Sequence, residues 1–108
     1  MTNKQQPLTV LFIGDIVARP GREAVTQLLP DIKEEYKVDL VIANVENLAG
    51  GKGITHKTIY EMVNAGIDLF TSGNHVFFHE DWKEILSDKS LNVLRPAPTN
   101  LPPNENMN

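Results

Sequence analysis

The sequence predicts an α/β fold, a parallel sheet with crossover helices, on three observations. Three apolar runs of strand length recur: Val10-Leu11-Phe12-Ile13, Leu40-Val41-Ile42-Ala43 and Leu69-Phe70-Thr71. Each runs into a turn with oxygen-bearing side chains, namely Gly14-Asp15, Asn44-Val45-Glu46-Asn47 and Ser72-Gly73-Asn74-His75. The steps are regular, 31 residues from Asp15 to Glu46 and 28 from Glu46 to Asn74. A strand, a crossover helix and the next parallel strand need about 30. Right-handed crossovers make such strands point the same way, so Asp15, Glu46, Asn74 and His75 converge at one carboxyl edge. Open α/β sheets hold their sites at that edge, and the cluster reads as half of a metal site.

Residues 1–7 are polar, end in Pro7 and read as a frayed lead-in. Leu8 to Ile13 is nearly all apolar, without alternation, the pattern of a strand covered on both faces. Gly14 permits a tight turn after it. Arg19-Pro20-Gly21-Arg22 reads as a loop into a helix. On that helix Val25, Leu28, Leu29, Ile32 and Tyr36 form one apolar stripe. Pro30 predicts a kink, or a second short helix with Pro30 in its first turn. The second strand, Leu40 to Ala43, leads to a glycine-rich loop, Ala49-Gly50-Gly51-Lys52-Gly53-Ile54-Thr55. Thr55 is an N-cap for a helix from His56 to Ala65 with Ile59, Met62 and Val63 inward, and Gly66 sits where a C-terminal cap belongs. After the third strand and His75, a short helix over Asp81 to Leu86 buries Trp82, Ile85 and Leu86. Leu91-Asn92-Val93-Leu94 is a weak fourth strand. From Pro96 the chain is rich in Pro and Asn, and 97–108 reads as a disordered tail behind the α/β portion, residues 1–96.

The bulk numbers bound the function. One small domain's worth of chain, 108 residues with 41% apolar, carries a slightly lean core. A net charge of -4 with no basic run argues against general nucleic-acid binding, which needs clustered Lys and Arg. The absence of cysteine excludes disulfides and thiolate metal sites. The apolar run near the start is too short for a signal peptide's core or a membrane span, so a soluble cytoplasmic protein, free to form a homo-oligomer, is the expectation.

Asp15, Glu46 and Asn74 offer hard oxygen donors, which suit Mn, Mg or Fe. A carboxylate between two cations can bridge them, and two cations about 4 Å apart can stabilise a phosphoryl transition state. His75, beside a ligand, can protonate a leaving oxygen. Asp and Asn are also common in turns simply because they tolerate the geometry; recurrence at three successive strand ends sets these apart. The glycine-rich loop either cradles an anion through its N–H groups or is a flexible turn. It is no Walker A loop, because Gly53 follows Lys52 where Ser or Thr is needed. His56 and His79 read as solvated surface. Trp82, Phe77 and Phe78 read as packing, not as a base-stacking platform, for lack of basic neighbours. Arg95 either meets a phosphate near the sheet edge or is a surface arginine.

Four stretches in order resemble one family. They are Leu11-Phe12-Ile13-Gly14-Asp15-Ile16-Val17 with Pro20-Gly21-Arg22-Glu23, Ile42-Ala43-Asn44-Val45-Glu46-Asn47 with Ala49 to Thr55, Gly73-Asn74-His75, and Leu94-Arg95-Pro96-Ala97. Over about residues 9–97 the chain is similar to the YmdB-like metallophosphoesterases, a branch of the calcineurin-like superfamily. The resemblance implies a phosphodiesterase acting on small cyclic nucleotides such as 2′,3′-cyclic phosphates, with two divalent metal ions, iron or manganese. It makes Asp15 a ligand of the first metal, Glu46 the bridge, Asn74 a ligand of the second with Asn47 beside it, and His75 the proton donor to the leaving group. Val17 stands where the wider superfamily has histidine, in agreement with this branch. Val45 and Leu48 replace the family's usual Gly and Ala, and Phe77-Phe78 its usual Trp-Asp, departures that bear on the substrate pocket.

Family members continue well past this length and draw histidine ligands from further strands. The chain therefore reads as an amino-terminal fragment or truncated product, half of a metallophosphoesterase αββα sandwich. The alternative function is a non-catalytic α/β module that binds a partner or a nucleotide. A receiver-type domain fits less well, because Asn74 stands where it wants an aspartate.

Overall fold

A computed structural model describes residues 7–96. The lead-in before Pro7 and the tail 97–108 lie outside the described residues. The order is β1 (Val10–Asp15), α1 (Ala18–Tyr36), β2 (Leu40–Asn44), α2 (His56–Ala65), β3 (Leu69–Thr71), a 3₁₀ turn (Asn74–Phe77) and α3 (Trp82–Ser87). The three strands are parallel in the order β1-β2-β3, with Val10 opposite Leu40, Phe12 opposite Ile42 and Ile42 opposite Leu69. The predicted α/β class is therefore the observed one. The fourth strand shrinks to a single parallel bridge between Phe70 and Val93. No helix among the described residues is long and apolar enough to cross a membrane.

Two successive right-handed crossovers in one direction put α1 and α2 on the same face of the sheet, where they touch each other. That face holds the core: Val41, Ala43 and Phe70 from the strands, Leu29 from α1, and Ile59 and Met62 from α2 are all buried. The opposite face lacks cover among the described residues, which corrects the expectation for β1. Leu11 and Ile13 pack on the core, but Val10 is 46% exposed and Phe12 62%. Partly buried Leu40, Ile42 and Leu69 continue that open strip across the sheet.

The helices differ from expectation in detail. The first begins at Ala18 and takes in Pro20 and Gly21, because a first-turn N–H has no partner inside a helix and proline loses nothing by lacking one. It runs through Pro30 as one helix. Its stripe is narrower than predicted: Leu29 is buried, whereas Leu28 and Tyr36 are exposed. The second helix follows the prediction, with Thr55 and Thr58 in a reciprocal capping box and Gly66 closing it at a φ of 116°. Val63 proves exposed. In α3 Ile85 is buried, but Trp82 and Leu86 only partly so. Asp81 at its start accepts the backbone N–H of His56 at 2.9 Å, tying α3 to the start of α2.

Candidate active site at the strand ends

All three strand ends deliver their polar residues to one rim. An irregularity between Ile13 and Asp15 skips Gly14, so Asp15 lies opposite Asn44. The loop after β2 is pinned by its backbone. The carbonyl of Asn44 accepts from Ile16 N at 3.2 Å, that of Glu46 from Gly53 N at 2.6 Å, and that of Asn47 from Ala18 N at 3.1 Å. Buried Val45 and Leu48 anchor the loop on either side of Glu46 and Asn47. Arg22 Nη1 donates to the Leu48 carbonyl at 2.8 Å while its Nε meets Glu61 at 2.9 Å, so α1, α2 and the loop share one guanidinium. Gly73 leads into the 3₁₀ turn that carries Asn74 and His75.

The side chains meet through Asn47. Its Nδ2 donates to both carboxylate oxygens of Asp15, at 3.1 and 2.9 Å. Its Oδ1 lies 2.5 Å from Nδ1 of His75. Glu46 Oε2 is 3.7 Å from the same nitrogen. The Glu46 carboxylate rests against the backbone of Gly73, where a Cβ would overlap it. Four of the five predicted residues, Asp15, Glu46, Asn47 and His75, thus form one connected cluster. Asn74 sits beside them at the head of the 3₁₀ turn, exposed and without a side-chain hydrogen bond among the described residues. Within the described residues, His, Cys, Asp and Glu nowhere gather in threes suited to a metal ion. The rim has two carboxylates, an imidazole and two amides, and its donors are mostly oxygen.

Sequence reasoning misses three contributors. The sequence places Arg22 in a loop, and only the packing of α1 on α2 brings it to Leu48. It makes Gly73 a turn residue, not the surface under Glu46. The third is a cleft of about 540 Å³ walled by Gly50, Lys52, Thr55, Phe78 and His79. There Phe78 is 62% exposed, which corrects its reading as packing, whereas Phe77 does pack, edge-on to Trp82 at 4.8 Å. His56, by contrast, sits near Asp81 and Glu84 at 3.5 and 3.6 Å, away from the rim cluster's contacts.

A parallel α/β sheet with carboxylate, amide and imidazole groups gathered at its carboxyl edge defines the class of protein, and relatives define the family. The YmdB-like protein family matches residues 11–106, nearly the whole chain, and the chain belongs to it. It is 42% identical over 92 residues to a 2′,3′-cyclic-nucleotide 2′-phosphodiesterase of Bacillus subtilis, covering 83% of this chain and 34% of that protein. A phosphatase from Mycoplasma pneumoniae of known crystal structure superposes with a TM-score of 0.80 at 33% identity, over 84% of this chain and 32% of that one. A protein from Thermus thermophilus, described as hypothetical, superposes at 0.74 with 46% identity, over 88% and 35%. The chain spans about a third of the length of these relatives.

Proposed function

We propose that this chain supplies the strand-end part of a two-metal phosphodiesterase site that hydrolyses phosphoesters such as 2′,3′-cyclic nucleotides. The observation that carries this reading is the meeting of three strand ends in the chain Asp15, Asn47, His75, with Glu46 alongside. The donor chemistry fits hard divalent cations, manganese or iron, because carboxylate and amide oxygens suit them. Asp15 would hold the first cation, Glu46 would serve both, and Asn74 and Asn47 would offer amide oxygens to the second. Neither carboxylate is neutralised by Arg or Lys among the described residues. Asn47 directs its carbonyl oxygen at His75, and the second lone pair of that oxygen stays available to a cation.

Cations bound there would offset the negative charge of a phosphoryl group. This chain's residues govern the proton. Asp15 accepts both hydrogen bonds from the Asn47 amide, so the amide oxygen faces His75. An oxygen of that kind only accepts, so Nδ1 keeps its proton and donates it. Nε2 is then the nitrogen that, in the doubly protonated ring, would hand a proton to the leaving oxygen and leave the neutral Nδ1–H imidazole behind.

A graft tests the reading. Residues 10–96, placed in the matching third of the Bacillus subtilis relative, should turn over 2′,3′-cyclic AMP with Mn²⁺ or Fe²⁺. His75→Ala should lower kcat by roughly 10²- to 10⁴-fold, the range for loss of a general acid. A folded graft that is inert, or indifferent to both His75→Ala and Asp15→Ala, contradicts it. The sparse set of charged donors among the described residues favours a second reading, a non-catalytic α/β module. That reading predicts little metal by elemental analysis and a melting temperature unmoved by chelator.

A further inference from the structure

The cleft beside the rim has a composition unlike the rim itself. Its lining includes Gly50, Gly51, Lys52, Phe78 and His79. Lys52 Nζ stands 5.5 Å from the centroid of the Phe78 ring, and the His79 ring meets that ring edge-on at 4.9 Å. Most of Phe78 is open to solvent. A large apolar ring left in water costs free energy that any flat apolar cover would return.

The cleft is built onto the rim rather than merely near it. Phe78 N donates to the carbonyl of His75 at 3.0 Å, one turn away. Gly53 N donates to the carbonyl of Glu46, and Gly53 lies in the same loop as Gly50 and Lys52. At Gly53 φ is +80°, and a Cβ would stand 2.9 Å from His79 Cδ2 and 3.0 Å from Phe78 Cβ. Only glycine lets the two walls approach this closely. The loop that carries Glu46 and the turn that carries His75 thus each continue into a wall of the cleft, an aromatic surface with one lysine over it.

We infer that the cleft formed by Phe78, Lys52 and His79 receives the nucleobase of the substrate, with Phe78 as the stacking surface and the specificity-determining residue. The inference rests on the phosphodiesterase reading for its direction, since that reading puts the phosphate at Asp15, Glu46 and His75. Base-on-aromatic stacking tolerates every base, because each has a π-face. The cleft therefore selects nucleosides over aliphatic alcohols rather than one base over another.

Amide NMR on the chain tests this with two probes, adenosine, which has a base and no phosphate, and ribose 5-phosphate, which has the reverse. Adenosine should shift the amides of Gly50, Lys52 and Phe78, and ribose 5-phosphate should leave them in place. Phe78→Ala should weaken adenosine binding about tenfold, the loss of one stacking contact, while Phe78→Tyr keeps it. An exposed ring can be removed without unfolding the chain, and the spectra report the fold directly. Adenosine shifts that avoid the cleft, or equal binding by Phe78→Ala, overturn the inference. Mn²⁺ binding at Asp15 and Glu46 is read in the same samples. If Mn²⁺ binds and adenosine does not, the base site falls and the hydrolytic reading stands. If adenosine binds the cleft and Mn²⁺ avoids the rim, the base site stands and the hydrolytic reading falls.

Discussion

The carboxylate of Glu46 lies so close to Gly73 that any side chain there would displace it. The backbone of Gly73 is extended, with φ -149° and ψ -163°, so alanine fits the conformation without strain. Gly73→Ala should therefore leave the fold intact and move Glu46. Loss of a group that orients a ligand costs roughly 10- to 100-fold in metal affinity, and that loss should appear in a Mn²⁺ titration beside an unchanged circular dichroism melt. Unchanged affinity would mean that Glu46 does not bind where it now points. A second residue-scale prediction concerns Asp88. The Ser90 hydroxyl at 2.6 Å, then the Ser90 backbone N–H at 3.0 Å, hold its carboxyl below the usual carboxylate range. A carboxyl lowered on folding stabilises the protein above its unfolded pKa, and that contribution fades as pH falls through the lowered value. In Ser90→Ala the Asp88 pKa, followed by carbon NMR, should rise toward the ordinary value. These pairs show which residues a sequence exposes. Ser90 and Asp88 are local, but the contact of Glu46 with Gly73 spans two loops and leaves no trace in either one.

At the scale of elements, α2 is the most legible because its signals are local. Thr55 caps it and Thr58 returns the bond, with Thr55 N to Thr58 Oγ1 at 3.1 Å and Thr58 N to Thr55 Oγ1 at 3.3 Å. Gly66 supplies the positive φ at its end. Thr55→Ala should cost about 1 kcal/mol, a drop of about 4–8 °C in melting temperature for a domain this small. No change in the melt would show that the Asp81 bond to His56 N suffices as a cap. The start of α1 is illegible for the opposite reason. Pro20-Gly21 carries a loop signature, but a proline in the first turn costs a helix nothing. What holds those residues helical is distant: Gly21 lies against Ile16, where a Cβ would stand 3.1 Å from Ile16 Cγ2, and Arg22 reaches Leu48 and Glu61. The fourth strand is easily overread because four apolar or neutral residues suffice for a pattern, while pairing needs register with β3, which only Val93 achieves.

For the molecule as a whole, the regular 30-residue step makes the parallel sheet and its shared rim legible, since handedness and chain order leave little choice of where strand ends go. The faces are not legible. A run such as Val10 to Ile13 reads the same whether one face or both are covered, and here the strip from Val10 and Phe12 to Leu40, Ile42 and Leu69 is open among the described residues. Phe78 and Lys52 are likewise 26 positions apart in sequence, so the missing basic neighbour appears only after folding. The sequence makes Asn47 one ligand among several, and it proves to be the link between Asp15 and His75.

The central claim is that the strand-end rim binds divalent cations through Asp15 and Glu46. Paramagnetic broadening by substoichiometric Mn²⁺ in the amide spectrum of this chain tests it most directly. Asp15, Glu46, Asn47, Asn74 and His75 should broaden first, and the double change Asp15→Asn and Glu46→Gln should abolish the effect. Broadening that begins instead at the acidic surface of α1, around Glu34 and Glu35, and survives the double change would contradict it.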